Sequence, residues 1–569
     1  MTSLISLYSQ SIKPTPVVVT EAPKLQVAPM ATTAVNPNLI SDYLKNQANI
    51  NSAMVKPVQM KPTENINYKN DLKDLFQNNK AKILAIVPRT FNAKDKNGNA
   101  KIDDGEEHGT FENGIERLDE VKAQGFNTLH VLPVHQPGKK KAMGTAGSIY
   151  SPLDLLEVDP LLGGKAGFKK FIDEAHKRGI KIMLDLPSCS SFDLFEKEPD
   201  LMAKERDGLA KTPQGWNDIR MFQPWEDEGK RTLNPKLLEL HRKYVDMCVE
   251  LGVDGIRADV ARAKPVEFWD AIIPYSHSKD PQFAWLAETY TYEDASPQAN
   301  MPYDRPEDSL RAGFDSYYGQ YHIFHEWSKA SDLMNFVKEN LEMSYNLPKG
   351  KSLIGSFATH DDISPMFHGG ADYCNLTSGL QATLPMLNPY TIDGFQSGDN
   401  YVYPYANQHS EKTMTEEHEM TVHHGKLDIF NLSRKPGGKN PEIGDFMTKS
   451  FQMRDKYIDV ISKGTFIELD KDGDKNDQII AFARHLNGKT LLVVANKNID
   501  RNVTATIKVP TLKSTQALNN LLPSYGKESK LQAGEGELKV DLGASRIHVF
   551  EIDTPNIERG TDKVYRQQL

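Results

Sequence analysis

The sequence predicts an α/β fold, a closed (β/α)8 (TIM) barrel followed by a C-terminal antiparallel β-sandwich domain. Short, almost continuously apolar runs alternate with segments of helical period, and about eight strand candidates fit between residues 80 and 463. Such runs are typical of parallel strands covered on both faces, and a long alternation with helices favours a closed barrel over an open sheet. Beyond residue 463, Asp, Gly and Asn turns join the runs, which is typical of antiparallel hairpins.

Six apolar runs are the clearest strand candidates of the barrel. They are KILAIV (82–87), TLHVLPV (128–134), IKIMLDLP (180–187), GIRADV (255–260), FAWLAE (283–288) and LIGSFA (353–358). The segment 235–252 begins with a proline and ends with a glycine, the usual asymmetry of a single helix. No GxGxxG motif follows the first run, which counts against a dinucleotide-binding sheet.

The predicted domain boundaries follow these changes of pattern. Residues 1–75 are rich in Pro, Thr, Asn and Val without periodicity, so we expect a disordered leader. The barrel is expected over residues 76–462, with a small insertion after the third strand at about 188–235. The sandwich is expected over 463–555, and residues 556–569 are expected to be a tail.

Charge and cysteine content exclude several classes of protein. The net charge is −9, so the chain has no excess of cations for nucleic acid or an anionic membrane. No run reaches the ~18 apolar residues of a membrane span, and the N-terminus lacks the basic region of a secretory signal. Cys189, Cys248 and Cys374 are odd in number and lack metal-site spacing, which argues against a disulfide framework and a zinc site. We therefore expect a cytoplasmic protein, and the oligomeric state stays open.

Acidic residues end several of the predicted strands, where barrel enzymes carry their reactive groups. These residues are Asp185, Asp259, Glu288 and Asp361. A carboxylate buried without a partner is costly, so several at one rim require a cation. Arg257 lies two residues before Asp259 and therefore on the same side of its strand, where it can keep Asp259 ionised. The apolar neighbours of Glu288 favour its protonated form instead.

Four motifs occur in order along the chain: GSIYSPLDLLEVDPLLGG (147–164), GIRADVA (255–261), WLAETY (285–290) and FATHDD (357–362). They resemble the stretch after the second strand and the fourth-, fifth- and seventh-strand motifs of the α-amylase family (glycoside hydrolase family 13). The likeness covers roughly residues 80–463. Because four motifs share the family's order and spacing, the resemblance is specific.

The resemblance implies catalytic roles for three acids. Asp259 would be the nucleophile, Glu288 the general acid/base, and Asp361 the acid that stabilises the transition state through sugar hydroxyls. Four further matches would form the subsite of the reacting sugar, with Tyr150 as a stacking platform: Arg257, His360, Asp185 and Tyr150. The expected activity is that of an α-amylase-like hydrolase that cleaves α-glucosidic bonds of α-glucans or maltooligosaccharides with retention, and this chemistry requires no cofactor.

Two departures from the family pattern leave alternatives open. The third-strand segment DLPSCS has Cys189 and Ser190 where the family has Asn-His, and Arg262-Ala263-Lys264 follows Asp259 where the family often has Lys-His. Both features are similar to the maltosyltransferases that use maltose 1-phosphate, in which case Arg262 and Lys264 would contact a donor phosphate. The other interpretation of these two cations is a solvated helix start.

The alternative functions are therefore an α-glucan maltosyltransferase or glucanotransferase and, in another class, a catalytically impaired glucan-binding barrel. The altered third-strand motif favours the impaired barrel, whereas the retained Asp259, Glu288 and Asp361 oppose it. Asp362 is the alternative to Asp361 as the third acid, although strand alternation points its side chain away from the rim.

The segment DKNGNAKIDDGEE (95–107) resembles a calcium-binding loop. Oxygen-bearing side chains occupy positions 1, 3, 5, 9 and 12 of that pattern: Asp95, Asn97, Asn99, Asp103 and Glu106. The flanking sequence does not predict the paired helices of an EF-hand. Two interpretations stay open: a polar turn, which we favour, and a loop that binds a structural calcium ion.

Overall fold

The computed structural model places residues 63–569 in one compact unit. It describes residues 67–94, 96, 105–142, 148–212, 218–289, 305–319, 324, 327–360, 364–398 and 440–569. Most of the expected leader therefore lies outside the described residues, and its disorder stays a prediction. None of the helices in the described ranges combines the length and the apolarity needed to cross a bilayer.

Eight parallel strands close into a barrel, which confirms the predicted fold class. In chain order they are β1 (Ile83–Ile86), β2 (Thr128–Val131), β3 (Lys181–Leu186), β4 (Gly255–Ala258), β5 (Ala284–Glu288), β6 (Ser316–Tyr318), β7 (Ser352–Gly355) and β8 (Leu387–Ile392). Each strand pairs with its neighbours in sequence, and β1 pairs with β8 to close the cylinder. Every residue of these strands is buried, as expected for strands covered on both faces.

The register of the strands decides which side chains meet at the rim. Asp185 on β3 lies opposite Arg257 on β4, and Glu288 on β5 lies opposite Tyr318 on β6. Because parallel strands in register present neighbouring side chains to the same face, each pair lies side by side. The barrel thereby brings four polar side chains from four strands to one end.

Helices surround the barrel and connect its strands. Within the described ranges they are α1 (Leu72–Gln77), α2 (Pro88–Phe91), α3 (Phe111–Gly114), α4 (Leu118–Ala123), α5 (Gly164–Lys177), α6 (Phe192–Lys197), α7 (Pro235–Leu251), α8 (Val266–Lys279), α9 (Pro306–Arg311), α10 (Ala330–Ser344), α11 (Pro365–Thr383), α12 (Pro441–Lys456) and α13 (Ile458–Lys463). The predicted asymmetry of α7 has a clear origin. The Asn234 side chain accepts from the backbone N–H groups of Lys236 and Leu237, and Gly252 ends the helix at φ 88°.

Two short antiparallel ribbons occupy the chain between β3 and α7. Cys189–Ser191 pairs with Ile219–Met221, and Trp225–Asp227 pairs with Thr232–Leu233. The first ribbon starts three residues after β3, so it lies beside the rim that carries the acids. Both ribbons lie within residues 188–235, where the sequence analysis expects an insertion, and the insertion stays a prediction.

Two antiparallel sheets follow the barrel and form the C-terminal sandwich. The strands are β9 (Thr465–Glu468), β10 (Lys471–Asp472), β11 (Ile479–Leu486), β12 (Lys489–Asn496), β13 (Val503–Lys508), β14 (Lys530–Ala533), β15 (Glu537–Leu542), β16 (Ile547–Ile552) and β17 (Val564–Tyr565). One sheet has the order β16-β12-β11-β9-β17 and the other β10-β13-β15-β14. Residues 556–569, expected to be a tail, thus include a strand that pairs with β9.

The five-stranded sheet uses both of its faces. Ile480 and Phe482 belong to the core shared with the barrel, whereas Ala481 and Ala483 belong to the core between the two sheets. Since successive side chains of a strand point to opposite faces, β11 is covered by the barrel on one side and by the second sheet on the other.

A buried arginine joins α12 to the N-terminal end of the barrel. Arg454 is 1% exposed, and its two Nη atoms donate to the carbonyl oxygens of Ala382, Asn79 and Leu387 at 3.0, 2.7 and 2.7 Å. These carbonyls belong to α11, to the turn before β1 and to the first residue of β8. One guanidinium therefore satisfies acceptors of three separate segments.

We predict that Arg454→Ala lowers the free energy of unfolding by about 3 kcal/mol, because buried carbonyls are left without donors and a cavity remains. Urea unfolding followed by circular dichroism measures this change. Lys449→Ala, at an exposed position of the same helix, is the matched control and should change stability by less than about 0.5 kcal/mol. Equal stability of the two variants would contradict the role given to Arg454.

Candidate active site

Three acids lie at the carboxyl ends of adjacent barrel strands. Asp185 is in β3, Glu288 is the last residue of β5, and Asp259 directly follows β4. Asp185 and Glu288 are buried, and the Asp259 side chain is 13% exposed. Of the three, Asp259 is therefore the most accessible to a ligand at the rim.

The guanidinium of Arg257 connects all three acids. Its Nη1 donates to Asp185 at 2.8 and 3.0 Å and to Asp259 Oδ1 at 2.9 Å. Its Nη2 donates to Glu288 Oε2 at 2.5 Å and also to the hydroxyl of Tyr318. Arg257 has no solvent exposure, so these contacts replace its hydration.

The charges in this cluster support one another. Burial by itself raises the pKa of Asp185, but Arg257 and a hydrogen bond from His130 lower it to about 2. Burial by itself lowers the pKa of Arg257, but Asp185 and Glu288 raise it well above its usual value. Asp185 and Arg257 are therefore both charged near pH 7.

Asp259 is held from two sides. Arg257 contacts Oδ1, while the backbone N–H and the hydroxyl of Ser188 donate to Oδ2 at 2.9 and 2.7 Å. An ionised carboxylate can accept about four hydrogen bonds, so three donors fix its orientation and leave one lone-pair position. Both oxygens of Asp259 therefore act as acceptors, as a carboxylate nucleophile requires.

Glu288 accepts two hydrogen bonds on one of its oxygens. Oε2 accepts from Arg257 Nη2 at 2.5 Å and from the backbone N–H of Val260 at 2.9 Å. Val260 adopts φ 35° and ψ 63°, a left-handed conformation that strains a β-branched residue. The strained turn after β4 thus carries an N–H that holds the carboxyl group of the neighbouring strand.

A second network extends from Asp185 across the barrel. His130 Nε2 lies 3.1 Å and the Tyr150 hydroxyl 2.9 Å from Asp185 Oδ2. Since an ionised Asp185 only accepts, both groups donate to it. The Tyr150 hydroxyl therefore accepts from His360 Nε2 at 2.9 Å, and His130 Nδ1 meets the hydroxyl of Tyr390 at 2.9 Å.

The structure brings six of the predicted site residues together: Tyr150, Asp185, Arg257, Asp259, Glu288 and His360. Asp361 and its alternative Asp362 lie outside the described residues. Tyr150 is 5% exposed and uses its hydroxyl to bind Asp185, so its observed role is a hydrogen bond within the site. Its part as a stacking platform stays a prediction.

The structure does not support a solvated helix start for the two cations after Asp259. Arg262 is 6% exposed and Lys264 is 1% exposed. The Lys264 ammonium donates to the carbonyl oxygen of Ser188 at 3.2 Å and lies among aromatic rings. Contact with a donor phosphate stays a prediction for both residues, and the burial of Lys264 disfavours it.

Only one residue of the expected calcium loop can be placed. Asp95, Asn97, Asn99 and Asp103 lie outside the described residues, and Glu106 Oε1 accepts from the backbone N–H of Lys96 at 2.6 Å. Across the described ranges, no group of three or more His, Cys, Asp and Glu side chains has the geometry of a metal site. The structural calcium ion stays a prediction.

Sequence reasoning missed four residues that complete the site: Ser188, His130, Tyr318 and Tyr390. Tyr318 ends β6 and Tyr390 lies in β8, the two strands that the apolar runs did not reveal. His130 stands inside the run TLHVLPV, where a buried polar residue is itself a signal of a partner. Ser188 had no signal, because a serine after a strand is usual in a turn.

Comparison with known proteins agrees with this geometry. Residues 85–291 match the model of the α-amylase catalytic domain. Across these residues the chain is similar to that domain of the α-amylase family. The match runs from β1 to just past β5, so it includes Asp185, Arg257, Asp259 and Glu288.

The curated proteins to which this chain is similar include two α-1,4-glucan:maltose-1-phosphate maltosyltransferases. The protein of Cereibacter sphaeroides is 26% identical over 308 residues, which are 50% of this chain and 43% of the relative. The second such protein of Streptomyces coelicolor is 22% identical over 479 residues, which are 79% of this chain and 65% of the relative. The chain thus spans less than two thirds of the length of either relative.

Solved structures show the same fold over most of the chain. A noncanonic maltogenic α-amylase from Thermotoga neapolitana superposes with a TM-score of 0.61 at 20% identity, covering 84% of this chain and 99% of that one. An α-amylase from Lactobacillus plantarum gives a TM-score of 0.61 at 19% identity, with the same coverage of both chains. At this level of identity the likeness concerns the fold alone.

We predict that Asp185→Asn lowers the free energy of unfolding by about 2 kcal/mol at pH 7, because the variant loses a carboxylate whose pKa is about 2 in the folded chain against 3.8 in the unfolded one. A lowered folded pKa stabilises above the unfolded pKa, and this contribution is lost as the pH falls through the folded value. The difference between the two proteins should therefore shrink to about half by pH 3.

Urea unfolding of both proteins at pH 7, 5 and 3 measures this difference. Glu250→Gln removes an exposed carboxylate and serves as the control, with an expected change below about 0.5 kcal/mol at each pH. A difference for Asp185→Asn that is independent of pH would contradict the charge assigned to this residue.

Proposed function

We propose that the protein is a retaining enzyme for α-glucosidic bonds that hydrolyses α-glucans or maltooligosaccharides. The observation that carries this proposal is the bridge that Arg257 makes between Asp259 after β4 and Glu288 at the end of β5. Retaining cleavage uses two carboxyl groups in different protonation states, and the two acids have different donors. Asp259 accepts on both oxygens, and Glu288 accepts hydrogen bonds from Arg257 and Val260 on Oε2.

In the first step Glu288 protonates the glycosidic oxygen as its bond to the anomeric carbon breaks. Because Oε2 already accepts two hydrogen bonds, the transferred proton belongs on Oε1. A carboxylate oxygen of Asp259 attacks the anomeric carbon and forms a glycosyl ester with inverted configuration. Arg257 stabilises both carboxyl groups through this step, since it contacts each of them.

In the second step Glu288, now ionised, removes a proton from the incoming hydroxyl group. The hydroxyl oxygen attacks the anomeric carbon, the ester bond to Asp259 breaks, and the second inversion restores the original configuration. Water as acceptor gives hydrolysis, and a sugar hydroxyl gives transfer.

Transfer from a glycosyl phosphate is the second candidate function. It is supported by the names of the maltosyltransferase relatives and by Cys189 and Ser190 in the third-strand segment. The burial of Lys264 weighs against it, because that ammonium faces aromatic rings and a carbonyl rather than solvent. We therefore place hydrolysis first.

We predict that Asp259→Asn and Glu288→Gln each lower kcat on maltooligosaccharides by at least about 10³-fold, because each variant loses one of the two carboxyl functions. Product analysis with and without maltose 1-phosphate distinguishes the two candidates. Reducing ends without phosphate release support hydrolysis, whereas chain extension with stoichiometric phosphate release supports transfer.

Glu250→Gln is the control for these variants and should retain full kcat, since its side chain is exposed on α7. Azide should restore turnover of an activated α-glucoside by Glu288→Ala, because this anion attacks the glycosyl ester without base assistance. Full activity of Asp259→Asn would refute the mechanism. Inactivity of the unaltered protein on every α-glucan tested would favour a binding function.

A further inference from the structure

Lys264 is a buried cation next to the proposed nucleophile. It is 1% exposed, and its ammonium lies 5.4 Å from the ring centre of Phe222 and 5.9 Å from those of Phe268 and Trp269. Its hydrogen bond goes to the backbone carbonyl of Ser188 at 3.2 Å. A lysine is seldom buried without a carboxylate in contact, because desolvation of the ammonium is costly.

The titratable groups around Lys264 leave Asp259 as its electrostatic partner. Burial raises the pKa of the Cys189 thiol to about 11, and burial together with Lys264 lowers the pKa of His241 on α7 well below its usual value. Both groups are therefore neutral near pH 7. Besides the Cys189 thiol, Asp259 is the described group whose electrostatic interaction raises the pKa of Lys264.

Ser188 links the two charges. It receives the Lys264 ammonium on its carbonyl oxygen and donates both its N–H and its hydroxyl to Asp259 Oδ2. The same short loop after β3 is therefore fixed from one side by a cation and fixes a carboxylate on the other. Oδ1 of Asp259 is held independently by Arg257.

We propose that Lys264 and Ser188 form a positioning pair for Asp259, in which the ammonium fixes the Ser188 loop and Ser188 orients Oδ2 of the carboxylate. Neither residue reacts with the substrate; both act through Asp259. The pair fixes the nucleophile at the segment where Cys189 and Ser190 stand in place of the family's Asn-His. This inference rests on the proposed function of Asp259.

A pH dependence follows from this arrangement. Burial lowers the pKa of Lys264 to about 8, with Cys189 and Asp259 opposing the shift. The ammonium is charged below that pH and neutral above it. As the pH rises through about 8, the charge-assisted bond to Ser188 weakens and Asp259 loses its second cation, so kcat should fall.

Three variants test the proposal. Lys264→Met should lower kcat at pH 7 by about 10- to 100-fold with KM changed less than about 3-fold, because a misplaced nucleophile slows chemistry while the buried lysine does not touch the sugar. Lys264→Arg keeps the cation, should recover most of kcat, and should move the alkaline limb of kcat from about pH 8 to above pH 9, because a guanidinium does not titrate there. Ser188→Ala loses one of two donors and should lower kcat by about 10-fold.

Lys243→Met, an exposed position on α7, is the matched control and should leave both kcat and its pH profile unchanged. An alkaline limb that stays at the same pH in Lys264→Arg would belong to Glu288 and would overturn the proposal. A Lys264→Met variant that is less stable but has an unchanged kcat would likewise overturn it. If Lys264→Met does not fold, Lys264→Arg and Ser188→Ala decide the question.

A measurement without turnover tests the Lys264–Ser188 pair separately from the proposed enzymatic function. The infrared difference spectrum of the unaltered protein minus Asp259→Asn reports the Asp259 carboxylate without turnover. The carboxylate bands of this difference spectrum should shift between pH 7 and pH 9. In the matching difference spectrum, recorded with Lys264→Arg present in both proteins, the bands should stay constant. Bands that shift equally in both difference spectra would refute the pair even in a protein without activity on glucans.

Discussion

The buried guanidinium of Arg257 is the interaction on which the described site depends. An arginine without solvent contact is stable only if acceptors replace its hydration, and here three carboxylates and one phenol do so. Each acid in turn avoids the cost of a lone buried charge. Because the four partners come from four different segments, the cluster forms only when the barrel is closed in the observed register.

The turn after β4 gives the carboxyl groups of Asp259 and Glu288 different hydrogen-bond donors. Val260 adopts a left-handed conformation, and its N–H reaches Glu288 on the next strand. Asp259, one residue earlier, projects toward Ser188 on the other side. A single strained turn therefore carries one acid, Asp259, and contacts another, Glu288, which is a use of backbone strain that is common at functional sites.

Two barrel strands show why the sequence predicts the fold class but does not reveal every strand. β6 spans Ser316–Tyr318, which is too short to stand out as an apolar run, and β8 contains an asparagine, a proline and a threonine. The polar atoms of Asn388 are satisfied by the hydroxyl of Ser352 and by main-chain groups of Ala81 and Phe76. Tertiary partners compensate the polar atoms of Asn388, and hydrophobic periodicity does not reveal a strand that contains such a residue.

The sequence by itself determined the barrel class, the antiparallel C-terminal sheets and the acids at the strand ends, because apolar period and motif order are local properties of the chain. Only the tertiary structure decided the partners of those acids and the burial of Lys264, which from the sequence could equally have been a solvated cation. Ser188, Tyr318 and Tyr390 enter the site through strand register and loop placement. Hydrogen-bond partners that lie tens to hundreds of residues apart depend on how the cylinder closes, and no local pattern carries that information.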